Sequence, residues 1–221
     1  MTTPINDPFE PYQDLADSLL SAFDASRVGG SHDLSHIVRV WRNAVRIART
    51  EPEYDLELLL AATVLHDCVA VEKSSPRRPF ASRLSAARAR EIVAPLRWAQ
   101  DRVDRMAHAI ETHSFSAGIQ PETLEAKILR DADRLDAIGA IGIARCFHVG
   151  GRMGGALYHP DDPGAEARPL DDRGYALDHF PAKLFKVANG FWTKEGRRLA
   201  SARAALMTDF VAAFLEEVEG K

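Results

Sequence analysis

Three short stretches of this chain carry side chains able to hold a cation: His32-Asp-Leu-Ser-His36, His66-Asp67 and Asp131-Ala-Asp-Arg-Leu-Asp136. The middle one is the most telling. His66-Asp67 closes the apolar run Leu58-Leu-Leu-Ala-Ala-Thr-Val-Leu65, which reads as part of a buried helix. An imidazole and a carboxylate set side by side at its end cost several kcal/mol unless something neutralises them, and a divalent cation does so. Mixed His/Asp ligation suits Mn2+, Fe2+, Co2+, Ni2+, Zn2+ or Mg2+. Two histidines and two carboxylates leave room in a six-coordinate sphere for water and a substrate oxygen, which a catalytic metal needs.

The elements that must position these residues read as helices. Residues 10–25 carry Leu15, Leu19, Leu20, Ala22 and Phe23 at helical spacing, and Val28-Gly-Gly30 then breaks the chain. Residues 34–50 form an amphipathic helix whose stripe is Ile37, Val40, Trp41, Ala44, Val45 and Ala48. His36 lies beside that stripe and should face inward, and Glu51-Pro52 ends the helix. Asp55 is the expected N-cap of the buried helix. Adjacent helical residues point about 100° apart, so His66 and Asp67 can share an ion only if they occupy the last turn, where the carboxylate swings round.

Pro76-Arg-Arg-Pro79 marks a polar loop, and helices are predicted at 82–94 and 98–112. Pro121 with Glu122 and Glu125 reads as a first helical turn. The segment 134–149 reads as one closely packed helix, begun by Asp133, whose Gly139 and Gly142 admit a neighbour. Residues 150–175, rich in Gly, Pro and Asp, read as a long loop with room for a short hairpin. Helices resume at 178–191 and 194–218, the last capped by Thr193. The expected architecture is all-α: a single-domain helical bundle over 1–221 with a central metal site, a core at 30–190, and a C-terminal helix in 191–221 packed on it.

Composition excludes several classes. A net charge of −4 gives no basic face for a nucleic-acid polymer. No stretch of about 18 apolar residues exists to span a membrane, and Met1–Pro8 lacks the basic and apolar regions of a secretory signal. Cys68 and Cys146 lie in apolar surroundings and read as core residues of a protein in a reducing cytoplasm.

Beyond the ligands, "HDLSHIVRVWRNA", "ATVLHD", "AIETHSF", "AKILRDADRLDAIGAIGIARCF" and "HFPAKLFKV" resemble the HD-domain superfamily of metal-dependent phosphohydrolases. The likeness is to small bacterial members of the nucleotide pyrophosphohydrolase type and spans roughly residues 30–190. The resemblance implies a helical bundle around one divalent ion, held by His36, His66, Asp67 and a late aspartate. The family's metal Asp commonly sits in an "AD" dipeptide before a basic residue. Asp131, Asp133 and Asp136 compete for that position; Asp133, in Ala132-Asp133-Arg134, fits the pattern best, with Asp136 then a candidate to orient another group and Asp131 to cap the helix or hold His36. The resemblance also implies hydrolysis of a small phosphorylated substrate, a nucleoside triphosphate going to monophosphate and pyrophosphate.

A phosphorylated substrate needs donors around the open side of the ion. Arg134 follows Asp133 and is a candidate for a phosphoryl oxygen. Arg39, three residues after His36, reaches toward the same cleft. His113 is a candidate to bind phosphate or protonate a leaving group, and Asp67 is the candidate proton acceptor. His179 and Lys183, four apart, lie where the resembling family binds substrate. His32 and Asp33 are secondary candidates, as is the basic cluster Lys73, Arg77 and Arg78; the 150–155 glycine run is a candidate lid and Tyr158 a candidate base-stacking residue. The rival readings are a dinuclear phosphodiesterase or di-iron oxygenase, needing extra ligands such as His108 and His113, and a non-catalytic nucleotide sensor. Homo-oligomers are compatible with all of them.

Overall fold

A computed structural model describes residues 7–22, 34–71, 75–114 and 117–221. The Gly29-Gly30 break, His32, Asp33 and Lys73 lie outside the described residues. The fold is all-α, and the described residues divide into two compact units, one ending at Asp133 and the other beginning at Arg134.

The first unit is organised around its most apolar helix. α3 (Leu56–Leu65) has every residue from Leu58 to Leu65 buried. A helix apolar all round has no face for water and must be surrounded. It packs against α1 (Gln13–Ser21), α2 (Leu34–Ala48), α4 (Ala81–Val93) and α5 (Gln100–His113), and α4 lies along α5. Each fully buried Leu or Val contributes about 1.5–3 kcal/mol of apolar transfer free energy. Asp55 caps α3 as expected, accepting from the Leu58 N–H at 2.9 Å. The same carboxylate takes a paired bond from Arg102 (2.7 Å twice), which stacks on Trp98. On α2 the buried stripe includes His36, Ile37, Val40, Trp41, Asn43 and Ala44.

α6 (Leu124–Asp136) and α7 (Gly139–Arg152) correct two expectations. Pro121 and Glu122 precede α6 rather than forming its first turn, and the Thr123 hydroxyl caps it, accepting from the Ala126 N–H at 3.2 Å. Asp133 therefore lies in the last turn of α6 rather than beginning the glycine-rich helix. The segment 134–149 is not one helix, because Gly139 adopts φ +74°, a left-handed conformation that other residues enter at a cost. Gly142 is needed for the same corner: a Cβ there would stand 2.4 Å from the Ala137 carbonyl oxygen.

In the second unit α7 packs on α9 (Lys194–Val218), whose N-terminus is capped by the Thr193 hydroxyl at 3.0 Å from the Gly196 N. Phe147, Phe180, Phe210 and Phe214 form an aromatic cluster there, with ring centroids about 6 Å apart. The helix expected at 178–191 is present but shorter, a π-helical turn (Phe180–Leu184) running directly into the short α8 (Phe185–Val187). The expected hairpin in the long loop is also corrected. In its place stands an isolated parallel bridge between Ala156 and Tyr175. The loop is tied by buried Asp178, which accepts a paired bond from Arg168 (2.5 and 2.8 Å) and the Asp171 N–H.

Candidate metal centre

The end of α3 places His66 where a helix can no longer satisfy its own carbonyls. His66 Nδ1 donates to the Thr63 carbonyl at 2.7 Å. That bond fixes the tautomer and leaves Nε2 with its lone pair outward. Asp67 stands beyond the helix, so its carboxylate escapes the 100° rule and turns back: Oδ2 lies 3.6 Å from His66 Nε2. His36, projecting from the buried stripe of α2, brings its Nε2 to 3.2 Å from that of His66. Asp133 arrives from α6, with Oδ1 3.5 Å from His36 Nε2 and 4.0 Å from His66 Nε2. His36, His66 and Asp67 offer ligand atoms all within 4.8 Å of one another.

The His36–His66–Asp67 set fits a divalent ion. Two imidazole nitrogens each about 2.1 Å from one ion stand about 3.0–3.4 Å apart at right or tetrahedral angles. The observed 3.2 Å falls in that range. Complete burial drives the His66 pKa down to about 4 against the upward pull of Asp67 and Asp133, so the ring is neutral at neutral pH, the form that ligates. Both histidines are buried, while the two carboxylates are about a quarter exposed, giving the cluster one wet side.

His113, the last residue of α5, joins the same cluster. Its ring meets that of His66 edge-on at 5.0 Å, its Nδ1 donates to the Ile110 carbonyl at 2.6 Å, and its Nε2 faces Asp67 Oδ1 at 3.6 Å. Burial pushes its pKa down, but Asp67, Asp133 and the Ile110 carbonyl together outweigh burial and hold it above the ordinary value.

The other predicted site residues stand as follows. Arg39 is half-buried on α2, with Nη1 on the Ser35 hydroxyl at 2.9 Å. Arg134 is buried, and its terminal nitrogens donate to the carbonyls of Val187 (2.8 Å), Asn189 (2.5 Å) and Gly190 (3.5 Å), with Phe191 beneath. Those donors brace the end of α8. Asp136 is buried and ion-paired with Arg145 at 2.9 Å, and Asp131 is fully buried. His179 pairs with Asp172 at 3.0 Å, and Lys183 is exposed on the π-helical turn. His108 Nε2 accepts the Glu122 N–H at 3.0 Å. Burial pushes the Cys68 thiol up to about 12 and Cys146 up to about 11, so neither is a nucleophile.

Sequence reasoning missed the residues that hold the backbone beside the candidate ligands. Asn43 Nδ2 donates to the Ala132 carbonyl at 3.2 Å, tying α2 to α6 beside Asp133. The signal was present: Asn43 follows His36 by two helical turns, a polar residue within the apolar stripe. Ser85 of α4 holds Cys68 and Val69, and nothing in the sequence links those positions.

The HD domain family model matches residues 33–138, a stretch containing His36, His66, Asp67, His113 and Asp133. YpgQ of Bacillus subtilis, an uncharacterised protein, is 32% identical over 193 residues, covering 86% of this chain and 85% of its own. The crystal structure of YpgQ in complex with ADP superposes with a TM-score of 0.69 at 31% identity, covering 92% of this chain and 94% of that one. An HD-superfamily hydrolase from Bacillus thuringiensis superposes with a TM-score of 0.73 at 26% identity, covering 95% and 99%. Among the described residues no helix is long and apolar enough to cross a membrane. With the His–Asp cluster inside the matched stretch and a relative aligned along most of both sequences, this chain belongs to the HD-domain superfamily.

Proposed function

We propose that the chain is a metal-dependent phosphohydrolase that cleaves a nucleoside triphosphate to the monophosphate and pyrophosphate. One observation carries the reading above the others: ligand atoms of His36, His66 and Asp67 lie within 4.8 Å of one another, and Asp133 Oδ1 approaches both imidazoles at 3.5 and 4.0 Å from a third stretch of chain. The ADP complex of YpgQ supports a nucleotide as the ligand class, by analogy with a relative.

These four residues would hold the ion. When bound, it supplies Lewis acidity, polarising a phosphoryl oxygen and making water a stronger acid. The rest of the chemistry belongs to the chain. The oxygen of water bonds to the α-phosphorus, the bond from that phosphorus to the bridging oxygen breaks, and the electron pair leaves with pyrophosphate. Asp67, between two imidazoles, takes the water's proton. His113, its Nδ1 fixed on Ile110, presents Nε2 on the Asp67 side and returns a proton to the departing pyrophosphate. Arg39, one turn beyond His36 on α2, is assigned to the substrate phosphates. The carbonyl bonds of Arg134 support a bracing role for it instead.

Of the two extra histidines a dinuclear site would draw on, His113 stands in the cluster, but His108 has its Nε2 taken by the Glu122 N–H, which favours a single ion. The test is a screen of nucleoside triphosphates with metal-stripped protein reloaded with Mn2+, Mg2+ or Co2+, separating phosphate from pyrophosphate as products. Pyrophosphate release that disappears in Asp67→Ala is the expected result. Nucleotide binding without turnover under every metal would replace this reading with that of a sensor.

A further inference from the structure

Two serines one turn apart on α4, Ser82 and Ser85, are both buried. Their hydroxyls differ. That of Ser82 has no hydrogen-bond partner among the described residues. Ser85 is engaged twice: its hydroxyl accepts the Val69 N–H at 3.3 Å, and its carbonyl accepts the Cys68 S–H at 3.5 Å. Cys68 and Val69 are the two residues that follow His66-Asp67. Further out, Arg78 Nη1 donates to the Val71 carbonyl at 2.9 Å, so the segment leaving the cluster is laid along the start of α4.

The two halves of the His–Asp pair are therefore held by different means. His66 inherits its position from α3 through its bond to Thr63. Asp67 lies past the helix, inside a turn closed by the Cys68 N–H on the Leu65 carbonyl at 3.1 Å. That turn closes Asp67 from the helix side only, and what fixes the residues leaving it decides how far it is ordered before a ligand binds. We propose that Ser85 is a positioning residue for divalent-metal binding: by holding the Val69 N–H on α4 its hydroxyl fixes where the Asp67 carboxylate stands against His36 and His66. This inference rests on the reading of His36, His66, Asp67 and Asp133 as ligands. Outer partners of this kind change metal affinity about 10–100-fold when removed.

The unpartnered Ser82 provides a matched control, since Ser82→Ala removes an equally buried hydroxyl from the same helix without breaking a bond. The experiment titrates Mn2+ into the metal-free full chain, following free Mn2+ by electron paramagnetic resonance, with folding verified by circular dichroism. Asp67→Ala should lose measurable binding. Ser85→Ala should bind Mn2+ about ten-fold more weakly, and Ser82→Ala should bind as the unaltered protein does. Should Ser85→Ala fold poorly, Ser85→Cys preserves the volume with a weak acceptor and should show the same loss. Unchanged affinity in Ser85→Ala, or an equal loss in Ser82→Ala, overturns the positioning role while leaving the ligands in place. Unchanged affinity in Asp67→Ala overturns the ligand reading itself.

Discussion

Asp133 and Asp136 lie one turn apart at the end of α6, and the structure gives them separable consequences. Asp133 offers Oδ1 to both imidazoles at 3.5 and 4.0 Å, whereas Asp136 is buried against Arg145 at 2.9 Å. Thermal unfolding with and without Mn2+ distinguishes a ligand from a structural acid. At a Mn2+ concentration about 100 times its Kd, binding stabilises the folded state by about 2.7 kcal/mol. For a chain of this size that raises Tm by about 5–11 °C. Asp133→Asn removes a charged donor, and the loss should reach at least the 100-fold upper end of what an outer partner costs. The same Mn2+ then sits near Kd, and the increment falls to about 0.4 kcal/mol, or about 1–2 °C. Asp136→Asn should do the reverse. Breaking one side of a buried pair costs about 3–5 kcal/mol, discounted to about 2–3 here because Arg145 is partly exposed and Asn keeps a polar partner. The metal-free Tm should drop by about 4–12 °C while the Mn2+ increment survives. A full increment in Asp133→Asn, or a lost one in Asp136→Asn, would refute the assignment of the two acids.

Three further outcomes follow from the packing. Leu60→Ala, at a position with no exposure in the middle of α3, should cost about 2–5 kcal/mol, read as a lowered urea midpoint with an unchanged slope; a loss under about 1 kcal/mol would mean α3 is not central. Burial pushes the Asp55 carboxyl up, but the Arg102 pair and the Leu58 N–H outweigh it and hold its pKa below the ordinary 3.8. Its stabilisation is therefore present above about pH 4 and lost as pH falls through the folded value, so Asp55→Asn should flatten the acid limb of the stability–pH curve; an unchanged limb would count against the pair. Arg134→Ala strands three carbonyls and should lower stability by about 2–3 kcal/mol. Arg134→Lys should not restore it, because one ammonium cannot reproduce the fork; a nucleotide KM effect without a stability loss would instead return Arg134 to the substrate.

Much of the first unit could be read from residue order because each feature there is local. α3 was legible since a continuous apolar run ending in two ionisable residues points directly to a buried helix that leads into a site, and Asp55 caps it where a short polar acceptor was expected. His36 was legible from its register with the apolar stripe of α2. What was lost is of another kind. The break between α6 and α7 depends on a positive φ at Gly139 and on the Ala137 carbonyl packing where Gly142 has no Cβ. A glycine at either position reads equally well as a contact for a neighbouring helix. The carbonyl-binding role of Arg134 depends on the end of α8, more than fifty residues away, and a guanidinium beside an expected metal ligand looks the same whether it serves phosphate or backbone.

The same distinction accounts for why the His–Asp motif is written as adjacent residues at all. A histidine at the end of a helix takes its direction from a carbonyl three residues back, as His66 does from Thr63. The next residue lies in the turn that follows the helix rather than in the helix itself. Only there can a side chain turn about far enough to face the same point as its neighbour, and Asp67, a short carboxylate, then reaches both His66 and His113 with its two oxygens. A Glu at 67 would carry one more rotatable bond in a turn held by Ser85, and an Asp moved back to 65 would point into the core of α3. The adjacency therefore follows from the helix end, and the price is that the second residue must be secured from outside its own helix.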